Sequence, residues 1–272
     1  MSANSPGRVK ICIPVVGPGR DEALHQIHTA APLADLLELR MDLIIDGNLK
    51  KLVHEIRNSF PPVKIVVTHR RPEESGLQAA SVNKLNEEER VAVLQEAVQL
   101  GVDYVDMELS TPVELRDLLK VLIGKHSDRT KLIISVHDFS LTPYDDTLED
   151  LWQACRDAGA GVIKIVTFAQ TMADNLRVLR LIPWSLEKGQ EIVTFAMGEQ
   201  GKISRVMAPL LGAHFTFASL GLESATAPGQ LTAEEMVKIM ELLGESRSGK
   251  KKHSGQPSGS TPDEEEGRET IS

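Results

Sequence analysis

The stretch Gly161–Ala169, GVIKIVTFA, decides how the chain is read. It is a short run of β-branched residues closed off by glycine, the pattern of a buried strand. Successive side chains of a strand point to opposite faces. Ile163 and Ile165 therefore share one face, and Val162, Lys164 and Val166 share the other. A lysine is seldom buried without a reason. If the isoleucines pack against helices, Lys164 points into the centre of the fold.

Outward from this segment the same unit recurs. Strand-like runs fall at 9–16, 36–42, 64–70, 104–109, 131–137, 191–197 and 215–220. Helical patterns follow at 21–31, 48–58, 86–100, 113–125, 147–158, 172–188, 202–211 and 232–243. Eight strand–helix units of about 30 residues each predict an α/β fold of the (β/α)8 TIM-barrel type, whose usual size is about 250 residues. A doubly wound open sheet is the alternative, but no Gly-rich fingerprint follows the first strand. The expected organisation is a short leader, 1–8, a single barrel domain, 9–244, and a tail, 245–272. The tail is Ser, Gly, Lys and Glu with Ile271 as its apolar residue, a composition that stays disordered.

Composition narrows the function classes. With 272 residues and 41% hydrophobic, the chain can bury a large core. A net charge of −9 argues against a broad interface with nucleic acid or an anionic membrane. Cys12 and Cys155 show neither metal nor disulfide-framework spacing, which suits a reducing compartment. No run is apolar enough to span a bilayer, and the leader resembles neither a signal nor a transit peptide. A cytoplasmic location is expected.

The two-residue period, applied to the other strands, puts apolar residues on the helix side and leaves a polar set facing the axis. That set holds Glu38, Arg40 and Asp42, then Thr68 and Arg70, Asp106 and Glu108, Ser135 and His137, and Lys164. Buried charge is costly and apolar replacement is often neutral, so a whole ring of it signals a pocket. The carboxyl ends of barrel strands are where such pockets form. The acids could hold Mg²⁺, but Arg40, Arg70 and Lys164 on the same ring would repel the ion, so no metal is expected. Two loops complete the mouth. In Met197–Arg205 (MGEQGKISR) glycines let backbone N–H groups approach a ligand at a helix start, and Arg205 adds a forked donor, so an anion is expected there. Thr226–Gln230 (TAPGQ) is turn-rich and able to act as a lid.

An inward lysine with an inward histidine on the adjacent strand points to covalent chemistry on a carbonyl. A lysine amine desolvated near other cations is held neutral and can attack a ketone, and the iminium formed acidifies the adjacent C–H. His137 can take that proton and pass it to a leaving group, with Glu74 orienting the ring. With a β-hydroxyl this is a dehydration; with a carbon–carbon bond in its place it is a Schiff-base aldolase reaction. Spacing leaves both open.

The series Glu38-Leu-Arg-Met-Asp42, Thr68-His-Arg70 with Glu74 and Gly76, Ser135-Val-His137-Asp-Phe139, Lys164-Ile-Val, Met197–Arg205 and Ala227-Pro-Gly-Gln230 resembles type I 3-dehydroquinate dehydratase across about 9–243. The resemblance implies a lyase of the shikimate pathway, without metal or cofactor. It would convert 3-dehydroquinate to 3-dehydroshikimate by syn elimination of water. It makes Lys164 the Schiff-base residue, His137 the general base and acid, and Glu74 its positioner. Arg205 would bind the substrate carboxylate, and Glu38, Arg40 and Arg70 the hydroxyls. Gln230 would reach in from the lid, where Thr226 stands in place of the usual Ser. Ser75 stands where the family has Gly. The resemblance further implies a homodimer, with no nucleic acid or membrane partner.

Overall fold

Among the described residues, strands β1 (Ile11–Val15), β2 (Leu36–Arg40), β3 (Lys64–Thr68), β4 (Tyr104–Glu108), β5 (Lys131–His137), β6 (Val162–Phe168), β7 (Glu191–Met197) and β8 (Thr216–Phe217) alternate with eight α-helices. The helices are α1 (Arg20–Ala30), α2 (Leu49–Ser59), α3 (Glu87–Gln99), α4 (Val113–Lys125), α5 (Asp145–Asp157), α6 (Asp174–Glu187), α7 (Lys202–Leu210) and α8 (Ala233–Leu242). This computed structural model describes residues 9–75, 85–126 and 129–245. The leader 1–8, Gly76 and the tail beyond Glu245 lie outside the described residues.

All strand pairs are parallel, in the order β7-β6-β5-β4-β3-β2-β1-β8. The barrel is nearly closed. Across the seam between β7 and β8, His214 N–H donates to the Ile192 carbonyl at 2.8 Å, and the Thr216 hydroxyl donates to the Arg205 carbonyl at 2.9 Å. The expected TIM-barrel architecture holds. Strand β8 is shorter than the run 215–220 suggests. After Ala218 the backbone turns to the segment before α8, with Ser219 N–H donating to the Leu231 carbonyl at 2.9 Å and Ala233 N–H to the Ser219 carbonyl at 2.8 Å.

Two apolar clusters flank the sheet, as the strand period requires. The outer one joins Leu37, Leu39, Ile65, Val67, Val105, Met107, Ile134, Ile163 and Ile165 to helix residues such as Ile27, Leu52, Leu94, Leu119 and Trp152. The inner one, Cys12, Leu36, Val66, Ile133, Val162, Val193, Phe215 and Phe217 among others, packs inside the barrel. Above its apolar floor the inward residues turn polar. Helix starts are marked by side chains the sequence supplies: Asn48 accepts from Lys51 N–H, while Asn86 with Glu89 and Thr232 with Glu235 form reciprocal capping boxes. Among the described residues no helix is long and apolar enough to cross a membrane.

Candidate active site

Register brings the polar residues together. Thr68 lies opposite Asp106, Glu108 opposite Ser135, Ser135 opposite Lys164, and His137 opposite Val166. Lys164, buried at 4% exposure, donates to Asp106 Oδ2 at 2.7 Å, and its Nζ sits 4.6 Å above the Phe217 ring. Glu38 Oε1 is 3.9 Å from Nζ and accepts from the Thr68 hydroxyl at 2.7 Å. The charged group against Lys164 is thus a carboxylate, where the interleaved arginines suggest a cation. Asp106 Oδ1 accepts from the Ser135 hydroxyl at 2.6 Å, and Arg70 Nη2 lies 3.0 Å from Oδ2. Burial alone would raise the Asp106 carboxyl, but Arg70 and Lys164 outweigh it and hold it well below the usual carboxylate range.

His137 and Glu74 meet as the sequence predicts. Nδ1 lies 3.0 Å from Glu74 Oε2, so the ring donates there and leaves Nε2 as the free base. Glu74 Oε1 in turn accepts from the Ser110 hydroxyl at 2.7 Å. Burial, then the Arg70 and Lys164 cations, lower the His137 imidazolium well below its ordinary value. The ring is therefore neutral at pH 7, as a general base must be. Ser75, in the usual glycine position, has φ −96° and needs no left-handed backbone; its hydroxyl donates to the Arg71 carbonyl at 2.8 Å.

The arginines divide into paired and unpaired. Arg40 grips Asp42 through Nε at 2.9 Å and Nη2 at 2.6 Å. Arg70 Nη1 donates to Glu108 at 2.7 Å and to Ser135 at 2.8 Å. Arg205 differs: its Nε has no partner among the described residues, and Nη2 reaches the Pro228 carbonyl at 3.4 Å. Its guanidinium stacks 4.3 Å over Phe195. Burial, with no carboxylate beside it, lowers Arg205 to about 9. A buried cation without an anion is costly, and its guanidinium has donors to offer.

One expectation needs correction. The glycines of the loop after β7 do not form an anion cradle. Gly198 N–H donates to the Pro228 carbonyl and Gly201 N–H to the Gly198 carbonyl, both at 3.0 Å. Gly229, at φ +71°, comes so close that a Cβ there would lie 2.2 Å from the Gly198 oxygen. The glycines let the segment 226–230 dock on this loop, and Arg205 is the cation that remains beside it. Within the lid, Gln230 Oε1 accepts from Thr226 N–H at 2.8 Å and from its hydroxyl at 3.2 Å.

Glu38, Arg40, Arg70, Glu74, His137, Lys164, Arg205, Thr226 and Gln230 all line one pocket. The family model described as type I 3-dehydroquinase matches residues 11–247. The chain belongs to the type I 3-dehydroquinase family. A 3-dehydroquinate dehydratase of Desulfotalea psychrophila is 33% identical over 227 residues, 84% of this chain and 95% of that protein. One from Methanococcoides burtonii is 36% identical over 226 residues, 82% and 91% respectively. Among solved structures, the type I 3-dehydroquinate dehydratase of Clostridium difficile with covalently modified comenic acid matches with a TM-score of 0.76 at 26% identity, covering 87% of this chain and 92% of that one. The activity is therefore dehydration of 3-dehydroquinate in the shikimate pathway, which decides between the two reactions that spacing leaves open.

Several residues around the pocket of this dehydratase have no role that the sequence assigns. Asp106, Glu108 and Ser135 are legible as inward-facing but without a task. Ser110 continues the even-numbered inward series of β4 two residues past the strand, a signal that the strand boundary hides. Arg90, on α3, reaches Glu108 at 2.7 Å and the His69 carbonyl at 2.8 Å, a contact no period could foretell. Phe139, Val166, Phe195, Met197 and Phe217 form the apolar lining. Among the described residues no group of His, Cys, Asp or Glu side chains is arranged to hold a metal ion.

Proposed function

We propose that the dehydration runs through a Schiff base on Lys164 within a single barrel domain, 9–244. Nζ attacks the ring ketone and water leaves, giving an iminium. His137 Nε2 removes the adjacent proton and returns it to the departing β-hydroxyl in a syn elimination, and water then frees 3-dehydroshikimate. Glu74 keeps the imidazole in the tautomer this needs. Arg205 pairs with the substrate carboxylate. Glu38, Arg40 and Arg70 set the orientation of the hydroxyls, and Thr226 and Gln230 close over them from the lid. No metal or cofactor enters these steps.

The observation that carries the reading is the shared pocket of Lys164 and a histidine whose Nδ1 is already committed to Glu74. A nucleophile and a free base aimed at one cavity are what imine-assisted proton abstraction requires. Borohydride reduction with 3-dehydroquinate present should add the ligand mass to the peptide containing Lys164. Lys164→Ala should abolish both the adduct and the enone absorbance of turnover. Equal labelling of wild type and variant would sink the covalent route. His137→Ala should still form adduct while losing about 10²–10⁴ in kcat. We further propose a homodimer, on the family resemblance, and a cytoplasmic location, which the free, buried Cys12 and Cys155 suit.

A further inference from the structure

We propose that Asp106 is the fixed counterion of the Lys164 nitrogen throughout the covalent cycle. The inference rests on the Schiff-base reading above and gives the site a further catalytic residue, since Asp106 touches a reacting atom.

The geometry is specific. Asp106 Oδ2 is 2.7 Å from Nζ, and Asp106 itself is fully buried. Ser135 and Arg70 tie the carboxylate down on its other sides, at 2.6 Å and 3.0 Å. Ser135 is also the register partner of Lys164, so β5 sets its hydroxyl between Asp106 and Arg70 beside the lysine. A carboxylate held by three donors cannot swing away when the nitrogen changes its bonding.

Atom balance shows what such an anion does. Lysine ammonium plus ketone gives iminium plus water: a C–N bond forms, the C–O bonds break, and two of the three nitrogen-bound protons leave with the oxygen. The positive charge stays on nitrogen. Asp106 thus faces a monocation before and after the step and never has to change its own protonation. Attack needs the amine neutral for a moment, and proton abstraction by His137 sends an electron pair to nitrogen, making a neutral enamine. Expulsion of the β-hydroxyl, protonated by the imidazolium, restores the cation. A carboxylate at hydrogen-bond distance keeps the imine protonated, and so an electron sink, up to higher pH than an uncharged partner could.

Other groups face this nitrogen too. Glu38 comes from β2, Cys12 from β1, Arg70 from the segment just after β3 and His137 from β5, while β8 contributes the Phe217 ring. Of the carboxylates, Asp106 at 2.7 Å is in contact and Glu38 at 3.9 Å is not, so removal of Asp106 should dominate the response.

The test is the pH dependence of kcat in wild type, Asp106→Asn and Asp106→Glu, beside borohydride trapping with 3-dehydroquinate. Asp106→Asn should still give adduct at Lys164. The alkaline limb of its kcat profile should move down by at least about one pH unit, since one unit is a tenfold change in the protonation equilibrium. Asp106→Glu, with its carboxylate kept but displaced, should move the limb in the same direction by less. It also carries the test where the Asn variant fails to melt cooperatively. An alkaline limb that stays in place, with or without a uniform loss of kcat, would overturn the counterion role and leave Asp106 a structural anchor for Arg70. Absence of wild-type adduct would overturn the Schiff-base reading itself, a distinct outcome.

Discussion

Replacing Arg205 by methionine should make the ligand-free protein more stable and the enzyme worse, and both magnitudes follow from its surroundings. The guanidinium is 1% exposed and has no anionic partner among the described residues. Burial lowers it from 12.5 to about 9, and a base whose folded pKa is depressed costs stability fully at every pH below that value, neutral pH included. A lowering of this size corresponds to roughly 5 kcal/mol. The cation–π contact with Phe195 offsets about 1–2 kcal/mol of it. Arg205→Met removes the charge and keeps a flexible apolar stem over the ring, for a net gain of about 3 kcal/mol. In a domain of this size each kcal/mol moves the melting temperature by about 2–4 °C, so ligand-free Arg205→Met should melt about 6–12 °C higher.

Binding should respond in the opposite sense. A hydrogen bond to a charged group contributes about 1.5–3 kcal/mol, and the substrate carboxylate offers two oxygens to the fork. Its charge is the same in ground and transition states, so the loss should fall mainly on KM. An increase in KM of about 100-fold, with kcat within about fivefold, is expected. Thermal melts without ligand and steady-state enone kinetics measure the two effects on one preparation. A variant that melts lower than wild type and keeps its KM within about threefold would show that Arg205 is a structural cation, and the carboxylate assignment would fall.

The other predictions are smaller in scale. Ser110→Ala removes one hydrogen bond to Glu74, about 1 kcal/mol, so kcat should fall by less than about tenfold with KM unchanged. A loss beyond about 100-fold would mean that Ser110 does more than steady Glu74. His69 is buried with neither ring nitrogen partnered among the described residues, so His69→Phe should raise the urea midpoint, and a lower one would reveal a hidden bond. Burial lowers His69, His137 and His214, the last to about 4. Between about pH 6.5 and these lowered values the unfolded chain binds protons that the folded one does not. Stability should therefore be level above pH 6.5 and fall as pH drops toward about 4, with His69→Phe falling less steeply than wild type in urea titrations.

What could be read in one dimension was whatever depends on local period. Residues 131–137 and 191–197 read as short strand-like runs whose side chains alternate between two faces, and the strands occupy those same positions. The same alternation put Lys164, His137, Asp106 and Glu38 on the axial side, because a pleated strand gives its residues only two directions to point. Lateral register and closure are set by eight strands at once, and no local pattern encodes them. Only the barrel could decide that Lys164 meets the carboxylate of Asp106, two strands away, and that Arg70 is held by Asp106 and Glu108. The glycines at 198 and 201 marked a close approach in the sequence without saying of what to what; the folded chain brings the Thr226–Gln230 lid against Gly198. Arg205 was legible as a cation at a helix start. That it is left without an anion depends on every neighbour the tertiary structure packs around it, and on none of the residues beside it in the chain.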